Sequence, residues 1–152
     1  MAALNDVYNH YVKTSPCTFD IDPISLEARL SWFEGFGGRN RIVVAVDGDR
    51  FLGYACTRPL HERKAYETSV ASAVYVHQDH KGRGLGKQLY TALFEAIAGE
   101  DLHRCYAGIS MPNDASVALH RSFGFSQVAY YTEQGRKFDR YWDVAWFERE
   151  LG

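Results

Sequence analysis

The stretch Val74-Tyr75-Val76, followed after a short polar link by Lys81-Gly82-Arg83-Gly84-Leu85-Gly86-Lys87, decides how this chain is read. A β-branched run gives way to three alternating glycines. Leu85, Leu89, Leu93 and Ile97 then trace one face of a long helix. Glycine lets the main chain take φ > 0 and come close to a ligand. The helix behind offers unpaired N–H donors and the positive end of its dipole, which together suit a pyrophosphate. Lys81, Arg83 and Lys87 add positive charge around the same turn. Each charge-assisted hydrogen bond there contributes about 1.5–3 kcal/mol. Two other phosphate motifs are excluded. No G-x-x-x-x-G-K-[ST] is present, and a dinucleotide fingerprint needs Gly where this chain has Lys87.

Outward from this cradle, the chain reads as ααβββαβαββ. Leu4, Val7, Tyr8 and Tyr11 recur at helical spacing almost from the first residue. Ser25 caps a second helix whose apolar side carries Leu26, Leu30 and Phe33, and the glycines from Gly35 to Gly38 end it. Strands are predicted over residues 42–46 and 51–57, joined by Asp47-Gly48 hairpin chemistry, and over 69–76. After the long helix come a strand over 105–109, a short helix from Asn113-Asp114 to Ser122 stopped by Gly124, and strands over 125–132 and 142–147. Hairpins followed by a helical crossover imply an α/β or α+β fold with a mixed sheet.

The totals agree with one domain over residues 1–152: 46% hydrophobic and 24% charged residues are ordinary for a globular chain. A net charge of −2 argues against a nucleic-acid partner. No apolar run reaches membrane-span length and no signal-peptide pattern opens the chain. The three cysteines, Cys17, Cys56 and Cys105, form no C-x-x-C pair, so a reduced, cytoplasmic setting is expected. His77-x-x-His80 with Asp79 does not assemble four ligands, and no metal is expected.

The cradle, with Asn9-His10-Tyr11, Val74-Tyr75-Val76-His77, Pro112-Asn113-Asp114-Ala115-Ser116, Leu119-His120, Gly124-Phe125, Lys137-Phe138 and Asp143-Val144, resembles the GCN5-related N-acetyltransferase superfamily, in particular its phosphinothricin N-acetyltransferase-like members. The resemblance covers nearly the whole chain. Lys81 departs mildly from the Gln or Arg that usually opens the loop. It implies a mostly antiparallel mixed sheet with helices on both faces. Superfamily members usually open with a strand before the first helix, and this chain has no residues for it. An exposed sheet edge would favour a homodimer.

The resemblance further implies acetyl-CoA as co-substrate. Val74, Tyr75 and Val76 would hold pantetheine by backbone pairing, and the Val76 N–H would face the thioester oxygen. Lys81, Gly82, Arg83, Gly84, Leu85, Gly86 and Lys87 would hold the diphosphate. Asn113 and Ser116 would line the pantetheine arm, although both equally suit a helix N-terminus. His120 stands where many members carry a tyrosine that protonates the departing thiolate; it reads either as that acid or as a packed histidine. The members' general base, a Glu, falls on Ala71 here. Glu67, Glu62 or a water chain are the alternatives. Phe19, Lys64, Tyr66 and Glu67 mark the expected acceptor pocket. Three functions are consistent with these residues: an acetyltransferase of a small amino-acid-like amine, one of a protein N-terminus or lysine, and an acyl-CoA-binding module with little catalysis.

Overall fold

The computed structural model describes residues 1–152. Helices α1 (Ala2–Thr14) and α2 (Leu26–Glu34) precede strands β1 (Ile42–Asp47), β2 (Arg50–Pro59) and β3 (Ser69–Val76). Helix α3 (Leu85–Ala96), β4 (Arg104–Ser110), α4 (Asp114–Ser122), β5 (Ser126–Lys137) and β6 (Arg140–Glu150) follow, which is the element order read from the sequence. The six strands form one sheet in the order β1-β2-β3-β4-β6-β5, antiparallel except where β3 meets β4. No helix is long and apolar enough to cross a membrane.

Strand alternation sorts the side chains onto two faces. On one face Tyr54, Cys56, Ala73 and Tyr75 pack beneath Leu4 and Tyr8 of α1 and Trp32 of α2. On the other, Ala55 and Val74 meet Leu89, Tyr90 and Leu93 of α3. There Val70, Cys105, Ala107, Ile109 and Phe147 continue the core toward α4. The leucine stripe of α3 is buried as its spacing predicts, with Leu93 fully enclosed.

Helix α2 differs from its expectation. Leu26, Leu30 and Phe33 are exposed, at 46%, 47% and 44%, while Arg29 is buried at 4%. The Arg29 guanidinium stacks on Tyr8 and Trp32, with its carbon 4.2 and 4.6 Å from the ring centres, and its Nε donates to Asn5 Oδ1 at 3.1 Å. An arginine with an aromatic bed and a hydrogen-bond partner fills an interior position that apolar periodicity assigns to leucine. Arg29→Ala is expected to cost about 2 kcal/mol, lowering Tm by about 6 °C in thermal unfolding.

The last two strands also run longer than their sequence signals. Phe138 and Asp139, at φ 53° and 56°, form the two-residue turn with neither residue a glycine. At the irregularity in β5, Glu133 takes φ 53° and its N–H donates to Asp143 Oδ1 at 2.8 Å. The side-chain acceptor supplies what the broken ladder does not.

Candidate active site

β3 and β4 pair only at Ser69↔Arg104, Val70↔Cys105 and Ala71↔Tyr106, and then diverge. The gap opens into a cleft of about 650 Å³, floored by residues 72–76 and 107–110 and closed at its far end by the glycine turn. The His77 N–H donates to Leu52 O of β2 at 2.8 Å. Backbone groups alternate along a strand, so the N–H and C=O of Val74 and Val76 point the other way, into the gap. The Val76 carbonyl accepts from the Tyr11 hydroxyl, which burial pushes up to about 12. By the same alternation the Val76 N–H is directed at the cleft.

The glycine turn behaves as two parts. Gly82 and Gly84 take φ 74° and 76°, and beyond their own chain neighbours no protein atom lies within 4 Å of where a Cβ would stand on either. The first backbone hydrogen bond of α3 is Gln88 N–H to Gly84 O, at 3.2 Å. The N–H groups of Leu85, Gly86 and Lys87 are therefore unpaired at the positive end of the helix. Gly86 also meets a packing demand. It lies inside α3, where a Cβ would be 3.2 Å from Leu119, so it lets α4 pack closely. Lys81 and Lys87 border the cleft, with Lys81 Nζ 4.7 Å from the Tyr11 ring centre. Arg83 is not part of the cleft lining, and its Nη1 lies 3.4 Å from Nδ1 of His80, which is.

The opposing wall is the segment after α1. Buried Lys137 donates to Ser15 O at 2.9 Å and Thr18 O at 2.8 Å, and Ser110 Oγ donates to Pro16 O at 2.6 Å. Desolvation holds the Lys137 ammonium below its ordinary pKa. These bonds seat Ser15, Pro16 and Cys17 against the cleft. Asn113 and Ser116 border it too, and Asn113 Oδ1 caps α4 by accepting from Ser116 N–H at 3.1 Å. The cap and the cleft lining are thus the same residues.

His120 borders the cleft but is only 3% exposed, and both of its nitrogens are engaged. Nδ1 lies 2.7 Å from the Ser116 carbonyl, which only accepts, so the proton sits on Nδ1. Burial holds the ring below its ordinary pKa. In the neutral ring Nε2 is then an acceptor, and the Tyr90 hydroxyl donates to it at 2.8 Å. The Tyr90 oxygen in turn accepts from Ser72 Oγ at 3.1 Å. Tyr90 and Ser72 both border the cleft and were not singled out by sequence reasoning. Tyr90 lies four residues beyond Gly86 on α3, a helical spacing that places it on the cleft side.

The residues expected around the acceptor stand apart from this cleft. Glu67 is 3.6 Å from Arg39 and half-exposed, and Lys64 and Tyr66 lie in the short turn Lys64–Tyr66 before β3. The Phe19 ring rests on Gly135 of β5, where a Cβ would come within 2.4 Å of it. No cluster of three or more His, Cys, Asp or Glu side chains gathers into a metal-binding arrangement.

The sequence profile of the acetyltransferase (GNAT) family matches residues 4–125. The chain belongs to that family. This acetyltransferase is 51% identical to the phosphinothricin N-acetyltransferase of Streptomyces coelicolor over 152 residues, covering 97% of this chain and 89% of the relative. It is 30% identical to the L-methionine sulfoximine/L-methionine sulfone acetyltransferase of Salmonella typhimurium, covering 99% and 88%. Among solved structures, an acetyltransferase from Salmonella typhimurium with its cofactor acetyl-CoA superposes at a TM-score of 0.93, with 30% identity and coverage of 99% and 88%. A phosphinothricin acetyltransferase from Sinorhizobium meliloti in complex with acetyl-CoA gives 0.90, with 29% identity and coverage of 97% and 81%.

Proposed function

We propose that residues 1–152 act as one N-acetyltransferase domain in the cytoplasm, moving an acetyl group from acetyl-CoA to the primary amine of a small amino-acid-like molecule by direct attack within a ternary complex. The observation that carries this reading is the divergence of β3 from β4 over a turn whose glycines are left-handed and whose N–H groups are free. The names of the relatives supply the acceptor class: phosphinothricin and methionine sulfoximine are both amino acids with a tetrahedral, oxygen-bearing side-chain end.

In this reading the N–H groups of Leu85, Gly86 and Lys87, with the Lys81 and Lys87 ammonium groups, bind the diphosphate. Val74 and Val76 pair with the pantetheine amides, and the Val76 N–H donates to the thioester oxygen as negative charge gathers there. Asn113 and Ser116 border the same arm. No side chain is needed as a nucleophile, because alignment of two bound substrates supplies the acceleration. Tyr90 carries the proton for the departing sulfur. At rest that proton is donated to His120 Nε2, so the hydroxyl turns from His120 to the sulfur as the thiolate leaves, and Ser72 stays behind to donate to the phenolate. Desolvation raises the phenol and the thiol alike, so the transfer stays near balance.

The exposed Leu26, Leu30 and Phe33 of α2 give a second copy of the chain an apolar surface, which supports a homodimer. Release of free thiol from acetyl-CoA across a panel of amino acids, amines and peptides tests the function. Turnover with methionine sulfoximine or phosphinothricin is expected. Activity on peptides alone, or tight acetyl-CoA binding with no acceptor, would replace this reading with one of the other two.

A further inference from the structure

Beyond Ala71 and Tyr106 no strand pairing joins β3 to β4, yet on the α1 face one segment spans the gap. This strap is residues 15–19, directly after α1. On the β3 side, the Tyr11 hydroxyl in the last turn of α1 donates to the Val76 carbonyl. At β4, Ser110 Oγ donates to Pro16 O at 2.6 Å. At the far edge of the sheet, Lys137 of β5 donates to Ser15 O and Thr18 O, and the Phe19 ring lies on Gly135. An ammonium only 3% exposed is costly to bury without acceptors, so Lys137 and the strap hold each other. The groups read as coenzyme ligands lie on the opposite face, where α3 packs on Ala55 and Val74 and Leu119 of α4 joins them. A second substrate reaches the thioester from the side the coenzyme leaves open, which is the α1 face. There the cleft is bordered by Tyr11, Pro16, Cys17, Ala73, Gly108 and Ser110. Ala73 and Gly108 offer almost no side chain. The space is therefore set by where Pro16 and Cys17 are held.

We propose that Lys137 is a positioning residue for the amine acceptor, holding Pro16 and Cys17 of the strap as the wall against which the acceptor binds. The proposal rests on the amine-acetyltransferase reading above. Lys137 does not itself border the cleft. It acts through the carbonyls of Ser15 and Thr18, which stand on either side of Pro16 and Cys17. A turn clamped at both ends fixes the residues between. The strap's other polar groups are satisfied nearby. Cys17 N–H donates to Ser15 Oγ at 3.2 Å, and Asp20 N–H donates to Thr18 Oγ1 at 3.3 Å. The Tyr8 hydroxyl also lies 2.7 Å from Thr18 Oγ1. What the strap turns to the cleft is then a proline ring and a thiol. That surface suits the methylene stem of an amino-acid-like acceptor rather than its charged ends. A wall fixed in advance spares the acceptor the entropy of ordering it.

The test measures methionine sulfoximine and acetyl-CoA separately in wild type, Lys137→Met and Ser110→Ala. Lys137→Met keeps the apolar stem and removes both hydrogen bonds. It is expected to raise KM for methionine sulfoximine about tenfold at saturating acetyl-CoA. Acetyl-CoA affinity by calorimetry should stay within about twofold of wild type. Ser110→Ala frees the strap at one point and is expected to raise the acceptor KM about threefold. Should Lys137→Met fail to fold, Ser110→Ala decides alone. In wild type with coenzyme A bound, methionine sulfoximine should slow amide hydrogen exchange in residues 15–19, and Lys137→Met should remove that protection. An unchanged acceptor KM in the folded variants would overturn the proposal and leave the amine reading intact. So would a loss of acetyl-CoA affinity as large as the loss for the acceptor, since the strap would then only brace the sheet. A wild type that acetylates no amine would remove the amine reading, and the proposal with it.

Discussion

Gly84→Ala is expected to weaken acetyl-CoA binding by between about tenfold and about 100-fold while barely changing the fold. Two costs are separable at this position. Gly84 sits at φ 76°, where an alanine costs about 1–2 kcal/mol of stability. Beyond its own chain neighbours nothing in the protein lies within 4 Å of the new methyl group, so no packing is lost. Gly84 immediately precedes the unpaired N–H groups of Leu85, Gly86 and Lys87 at the start of α3. A methyl group there stands between those donors and a diphosphate, and each donor lost from a charged oxygen is worth about 1.5–3 kcal/mol. Gly86→Ala provides the contrast. Its methyl meets Leu119 at 3.2 Å, so it should loosen the α3–α4 contact and lower Tm, with a smaller effect on affinity. Isothermal titration together with thermal unfolding distinguishes the two positions.

Tyr90→Phe is expected to lower kcat about 100-fold with acetyl-CoA affinity unchanged, measured by steady-state thiol release and calorimetry. Tyr90 is the group at the cleft whose hydroxyl is held by a buried, neutral histidine that accepts its proton at rest, and whose oxygen is supported by Ser72. Removing the hydroxyl leaves His120 Nε2 and Ser72 Oγ without that partner, at a stability cost of about 1–3 kcal/mol. His120→Phe should lower kcat as well, because the phenol loses the acceptor that holds it. The double variant should be no worse than Tyr90→Phe alone. Additive losses would show that His120 acts independently of Tyr90.

Much of this site was legible in the linear sequence because its parts are local. The glycine turn, the helix behind it, and the Asn113 cap are each read from a few adjacent residues whose backbone demands are specific. The order of elements was equally legible, since the leucine stripe of α3 and the β-branched strands carry distinct periods. Helix α2 misled because apolar spacing identifies a stripe without saying what covers it. Arg29, not Leu30, faces the sheet because Tyr8, Trp32 and Asn5 complete its contacts. The turn at Phe138-Asp139 carries no glycine signal, and its strands are held by long-range pairing that propensity does not see.

The central claim is that residues 82–87 bind a diphosphate at the mouth of α3. Titrating the folded protein with acetyl-CoA and, separately, with S-acetylpantetheine, which lacks the nucleotide and its phosphates, tests it most directly. Acetyl-CoA is predicted to bind at least about 100-fold more tightly, the equivalent of one or two charge-assisted hydrogen bonds. Equal affinities, or no heat and no rise in Tm with acetyl-CoA, would contradict it.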